Sequence, residues 1–221
     1  MTADLDSRGG ARVLDPIDRV SEILFGLFMV LTFTGTLSVA SAGRDDVREM
    51  MVAAIGCNLA WGFVDGVMYV LRSLVARGRQ ARLVRAVQGA SQPEPAHKLI
   101  GREIGDLAGA LDTAALERIR QWLIARPTPA AGRTGITRSD LRGALAVFLL
   151  VFLSTFPVVL PFIFIADPAL AKRVSAAVAI GMLFLCGFAW GRYADSRPWR
   201  TGVVMVLLGV AVESVIIALG G

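Results

Sequence analysis

Five stretches of this chain, 23–42, 50–71, 143–166, 174–190 and 202–221, run for 17 to 24 residues with at most one charge each. A helix rises about 1.5 Å per residue, so about 20 residues cross a hydrocarbon core of about 30 Å. Only helices and closed barrels satisfy their backbone polar groups in that medium. The pattern therefore predicts an all-α polytopic membrane protein with five transmembrane helices. The fourth stretch is short, and Arg173 and Arg192 at its ends are placed to snorkel. The first is too long for the core of a cleavable signal peptide, and charged residues of both signs precede it.

Composition agrees. Apolar residues make up 55% of the chain and charged ones 19%, against roughly a quarter charged in soluble domains. The net charge of +5 would suggest a nucleic-acid surface on a soluble protein, but here the basic residues follow the spans. The loops predicted on one side of the membrane hold 19 of the 23 Lys and Arg, and those on the other side hold 4. The positive-inside rule then puts the N-terminus and the long segment between helices 2 and 3 in the cytoplasm, with the C-terminus outside. The lipid bilayer is the expected partner, and nucleic acid is not. With two cysteines and one histidine, neither a disulfide framework nor a Cys/His zinc site is available.

The resulting organisation is a cytoplasmic tail over 1–20, helices 1 and 2 over 21–73, a cytoplasmic amphipathic helical insert over 74–140, and helices 3 to 5 over 141–221. In the insert, Leu74, Val75, Leu83, Val84 and Val87 extend helix 2 as an amphipathic stalk. Residues 91–95 break it, and Leu99, Ile100, Ile104, Leu107 and Leu111 recur at helical spacing. Asp112 has the place of an N-cap for a helix through Ile124. Glu103 and Asp106, three apart on a helix, would share a face and with His97, Glu94, Asp112 and Glu117 are the candidates for a cytoplasmic divalent-metal site. The simpler reading is a solvated face with Arg102, Arg118 and Arg120 as ion-pair partners.

Polar groups inside the spans are the most informative residues, because they persist only where they meet a partner, a cavity or a pathway. Glu213 lies near mid-depth of helix 5, and Asp65 lies nearer the cytoplasmic side of helix 2. Asn58, seven residues before Asp65, shares its face, and Met68 lies three residues after it. Low dielectric disfavours the charged form of a carboxyl group, so both acids are candidates for proton coupling. Carboxylate and thioether together suit a transition metal, which adds Met68 and Met29 to Asp65 and Glu213. The alternative for the acids and Asn58 is an interhelical hydrogen bond. Glu22, Thr32 and Thr36 are candidate pathway-lining residues of helix 1. Glu22 can instead be read as a first-turn acid, and the threonines as packing groups. Pro157 and Pro161 free carbonyls in helix 3, which is tolerated where the backbone is buried or lines a cavity. Cys57 and Cys186 are read as small packing residues.

Several segments resemble the vacuolar iron transporter family. Residues 144–162, with Pro157-Val-Val-Leu-Pro161-Phe162, are similar to its third membrane helix. Leu183-Phe-Leu-Cys-Gly-Phe-Ala-Trp-Gly191-Arg192 is similar to its fourth, and Arg200-Thr-Gly-Val-Val-Met-Val-Leu-Leu-Gly209 to the start of its fifth. Phe25-Gly26-Leu27 and Leu37-Ser38-Val39-Ala40-Ser41-Ala42-Gly43 match its first in outline. The resemblance covers roughly 20–221. It implies a dimer that moves ferrous iron or a related divalent metal out of the cytoplasm in exchange for protons. Where the family carries Asn-Asp-Gly in helix 1, this chain reads Gly26-Leu-Phe-Met29-Val30. Where helix 2 of the family carries Met-x-x-Gly-Glu, it reads Gly62-Phe-Val-Asp65-Gly66-Val-Met68. Asp65, Met68 and Glu213 are then the substitute set.

The sequence thus points to a membrane transporter of divalent transition metals, iron or manganese, with the metal as cargo and no permanently bound cofactor. The alternative is a non-transporting assembly or sensor protein on the same scaffold. With a single histidine in a loop and no paired nucleophile and base in the spans, no enzymatic reaction centre is expected. Arginine outnumbers lysine 21 to 2, a bias of GC-rich genomes, and this suggests a bacterial inner membrane.

Overall fold

A computed structural model of the chain describes residues 14–36, 44–128 and 135–218. Every regular element among them is helical: α1 (Pro16–Thr36), α2 (Arg44–Gln88), α3 (Pro93–Ile104), a 3-10 turn (Gly105–Ala110), α4 (Thr113–Ile124), α5 (Arg138–Ser154), α6 (Phe156–Phe164), α7 (Pro168–Tyr193) and α8 (Pro198–Ala218). They form two compact units, one within Met1–Tyr69 and Arg138–Gly221, the other Val70–Thr137. The 45-residue α2 contributes to both.

Four described helical segments are long and apolar enough to cross a membrane: Asp45–Gln88, Arg138–Phe164, Pro168–Tyr193 and Pro198–Val215. Five were expected. The first, 23–42, extends past the described end of α1, and Asp18, Arg19 and Glu22 occupy the early turns of that helix. The rest of that stretch, 37–42, lies outside the described residues.

The first unit leaves much apolar surface uncovered. Phe63, Phe164 and Leu185 are 68%, 79% and 66% exposed. Of the most apolar window of α8, only 11% is buried. A water-soluble fold rarely shows such continuous apolar area, and the chain is a multi-pass membrane protein. Leu27 and Val30 of α1 are fully buried against Ala54 of α2, Val158 and Val159 of α6, and Ala179 and Leu183 of α7, so α1 runs through the middle of this unit.

Between lipid-bathed helices there is little hydrophobic drive, and close steric fit takes its place. Glycines supply it. A Cβ at Gly187 of α7 would lie 2.7 Å from the Thr201 carbonyl oxygen and 2.7 Å from Met205 Cγ of α8, so only glycine lets these two helices approach so closely.

The expected helix 3 is two helices. Pro157 has no N–H to donate to Leu153 and its ring crowds that turn. α5 therefore ends at Ser154, and α6 restarts at Phe156 with a proline in its first turn. Thr155 lies at the junction, fully buried, and its carbonyl accepts from the N–H groups of Val158 and Val159 at 3.2 Å each.

In the second unit, Val84 and Val87 of α2, Ala96 and Ile100 of α3 and Leu123 of α4 form a small core. Asp112 caps α4 as its position in the sequence implies, accepting from the Ala115 N–H at 2.6 Å.

Candidate functional site

In the membrane unit the polar groups gather where α1, α2 and the α5–α6 break meet. Asn58 of α2 is fully buried. Its Nδ2 donates to the Gly26 carbonyl of α1 at 3.2 Å and to Thr155 Oγ1, while its Oδ1 has no hydrogen-bond partner. Gly26 makes room for the crossing: a Cβ there would press on Ser154 Oγ and lie 2.6 Å from the Val151 carbonyl oxygen. Ser154 Oγ donates to the Val151 carbonyl at 2.8 Å, and Ser175 of α7 donates to the Val158 carbonyl of α6 at 2.7 Å. Hydroxyls and one amide thus tie down the backbone around the proline break, as buried polar groups require.

From Asn58 the same face of α2 continues through Gly62 and Gly66 to Tyr69, at helical spacing. A Cβ on Gly62 would lie 3.1 Å from the Phe148 carbonyl oxygen of α5, and one on Gly66 3.0 Å from that of Ala144. Tyr69 fills the notch above Gly143. Asp65 lies on this face between the two glycines and is half-buried. Met68, about 60° further around the helix from Asp65, is 45% exposed. Glu213 is half-buried on α8.

The helix 1 candidates are set mainly by their own backbone. Thr32 Oγ1 donates to the Met29 carbonyl at 2.6 Å, and Met29 itself is half-buried. The side chain of Thr36 lies outside the described residues. Because α1 begins at Pro16, Asp18 is its first-turn acid, and half-buried Glu22 lies in the next turn. The dipole reading therefore belongs to Asp18. Pro157 lines an almost wholly apolar cleft of about 490 Å³ with Ile23, Leu153 and Met182, and Arg19 adds a charge to its wall. Pro161 is buried inside α6. Asp140, in the first turn of α5, is only 4% exposed. Neither Asp140 nor Thr155 stands out in the sequence, since an acid at a helix start and a threonine before a proline are both common.

In the other unit, Glu103 and Asp106 do not share a continuous helix. Gly105, at a φ of +68°, ends α3 after Ile104, and Asp106 falls in the 3-10 turn. Glu103 pairs with Arg79 at 3.8 Å. Glu117 is engaged on all sides: Arg120 donates through Nε and Nη2 at 2.8 and 2.7 Å, Gln121 donates at 3.1 Å, and His97 Nε2 lies 2.9 Å away. The Arg120 fork foremost, then His97, lower the Glu117 pKa from 4.5 to about 2. Among the described residues, no three His, Cys, Asp or Glu side chains are grouped as a metal site would need.

The VIT family model matches residues 85–221. The chain belongs to the vacuolar iron transporter family. This is a family of transporters, which suits its multi-pass architecture. The family match takes in α3 to α8 and therefore Glu213, Pro157 and Pro161. Asn58, Asp65, Met68 and Met29 precede it. No curated protein matches the chain.

Proposed function

We propose that this VIT-family chain is a transporter of divalent transition-metal cations, iron or manganese, exporting them from the cytoplasm in exchange for protons. The observation that supports it is the pair of carboxylates, Asp65 and Glu213, half-buried on helices apolar enough to cross a membrane. A charge at such depth costs about 2.5–3.5 kcal/mol on insertion scales and persists chiefly in pathways and relays. Asp65 is the main ligand for metal or proton, Glu213 a protonatable relay, Met68 and Met29 soft contacts, and Asn58 an orienting group. The metal is cargo rather than a resident cofactor. A homodimer with its pathway between subunits gives the exposed Met68 face of α2 something to meet. The setting is a bacterial inner membrane, with the N-terminus and residues 74–140 in the cytoplasm and the C-terminus outside.

A second reading, a non-transporting assembly or sensor protein, draws on helix 1, where Gly26-Leu-Phe-Met29-Val30 carries no acid. Proteoliposomes holding a metal-quenched dye and a pH dye separate the two on addition of Fe²⁺, Mn²⁺ or Co²⁺. Transport predicts quenching with a coupled pH change. Asp65→Asn and Glu213→Gln should each slow it by about tenfold or more, the scale on which loss of a metal-supporting contact acts. Folded protein that moves neither metal nor protons would sink the transporter reading. Transport untouched by both substitutions would move the site elsewhere.

A further inference from the structure

The unit Val70–Thr137 carries a strong charge excess. Residues 70–137 hold eleven Lys and Arg against five Asp and Glu, while the rest of the chain holds twelve against thirteen. Three of those five acids have local tasks: Glu103 pairs with Arg79, Glu117 with Arg120 and His97, and Asp112 caps α4. None of the five lines the cleft of about 530 Å³ formed by Arg77, Gln80, Ala81 and Val84 of α2 with Arg126, Pro127 and Thr128 beyond α4.

Both guanidinium groups in this cleft are tethered. Arg126 lies over the Trp122 ring, its Cζ 3.7 Å from the ring centroid. Arg77 Nη2 donates to the Gly135 carbonyl at 3.2 Å. Stacking and one fixed hydrogen bond limit the freedom that binding would otherwise have to remove. The end of α4 would ordinarily oppose an anion, because helix C-terminal carbonyls carry partial negative charge. Here Gln88 Nε2 donates to the Leu123 and Arg126 carbonyls, at 3.1 and 2.9 Å, and takes up part of that field. Two arginines, a glutamine and a threonine then share a cleft with apolar Ala81, Val84 and Pro127.

We propose that this cleft binds a phosphate ester, with Arg77 and Arg126 on the phosphate oxygens and the esterified group against Ala81, Val84 and Pro127. Arginine forks match phosphate oxygens in geometry and charge, and the volume is that of a small-molecule site. The apolar wall favours an ester over bare phosphate. A phospholipid headgroup and a soluble phosphorylated metabolite share this chemistry.

The test uses the full-length protein in neutral detergent at low salt. Three probes are titrated by calorimetry and by Trp fluorescence: inorganic phosphate, glycerol 1-phosphate and dioctanoyl phosphatidylglycerol. At least one ester should bind more tightly than phosphate, and its affinity should fall as NaCl is raised, as screening requires. Binding of the lipid alone assigns a headgroup, and binding of glycerol 1-phosphate alone assigns a soluble ligand. The double variant Arg77→Gln/Arg126→Gln should weaken binding by about tenfold or more, in line with losing charged hydrogen bonds, while exposed Arg102→Gln outside the cleft should stay within about twofold of the parent. Arg126→Lys keeps the charge but loses the stacked fork. With a native circular dichroism spectrum it should still weaken binding by about threefold, the lower end of the same scale. Equal losses in Arg102→Gln and the double variant, an unaffected Arg126→Lys, or no binding of any probe would each overturn the site.

Discussion

The two units solve the same problem, holding helices together, with opposite means. In the membrane unit the helices meet at glycines, and polar side chains turn onto backbone carbonyls or one another: Asn58 onto Gly26 and Thr155, Ser154 onto Val151, Ser175 onto Val158. In Val70–Thr137 a small apolar core is joined by charged pairs, among them Glu117 with Arg120 and His97. Where apolar area must be hidden from water, an apolar stripe suffices and charges can decorate the rim. Where the surroundings are as apolar as the side chains, fit and internal hydrogen bonding have to do more. Asp65 stands out against that background, because it adds a carboxyl group to a face that otherwise holds Asn58, two glycines and Tyr69.

Gly26→Val is the strongest way to test this contrast. Overpacking a tight crossing costs about 1–3 kcal/mol, and thermal unfolding in micelles should show it as a large loss of stability. An unchanged melting temperature would mean that α1 and α5 do not depend on close approach there.

Asn58→Leu should be milder. Interhelical hydrogen bonds in membranes average about 0.6 kcal/mol with a maximum near 1.7. The unpartnered Oδ1 of Asn58 offsets part of that gain, so the same melts should show a loss near the lower figure.

Gly78→Ala reverses the sign. Nothing lies within 4 Å of a Cβ at Gly78 in α2, so alanine should add roughly 0.5–1 kcal/mol through helix propensity alone. Hydrogen exchange of α2 amides reads this directly, and a destabilised α2 would show that Gly78 is also a packing glycine.

Acid gives the smallest and most local effect. The Glu117 pKa is lowered from 4.5 to about 2, so its carboxylate contributes stability that is complete above about 4.5 and is lost as pH falls toward 2. Protection of the α3 and α4 amides, measured against the intrinsic exchange rate at each pH, should fall through that window, and Glu117→Gln should remove this pH dependence. A loss of protection confined to α7 and α8 instead would contradict the assignment.

Several parts of the molecule were legible in the residues because they depend on neighbours close in sequence. The Asp112 cap needs only the next three residues. A disturbance of helix 3 at Pro157 follows from its missing N–H, although the residues alone gave one bent helix rather than α5 and α6. The VIT resemblance lay in apolar and glycine patterns of the later helices, which the family match over 85–221 also covers. The expected span in 23–42 reaches past the described residues, so the described helices hold four of the five spans that apolar length alone gives. The supposed common face of Glu103 and Asp106 failed on the positive φ of a single glycine.

By itself the sequence determined that apolar helices pass through a membrane and which few acids lie among them, since these follow from run length and the cost of charge in lipid. Only the tertiary structure decided that Asn58 reaches Thr155 across 97 positions, that Gly26 is a crossing point, that Glu117 belongs to His97 and Arg120, and that Arg77 and Arg126 line one cleft. Those pairings depend on which helix faces meet. Packing sets those faces through contacts distant in the chain, and no local pattern of residues encodes them.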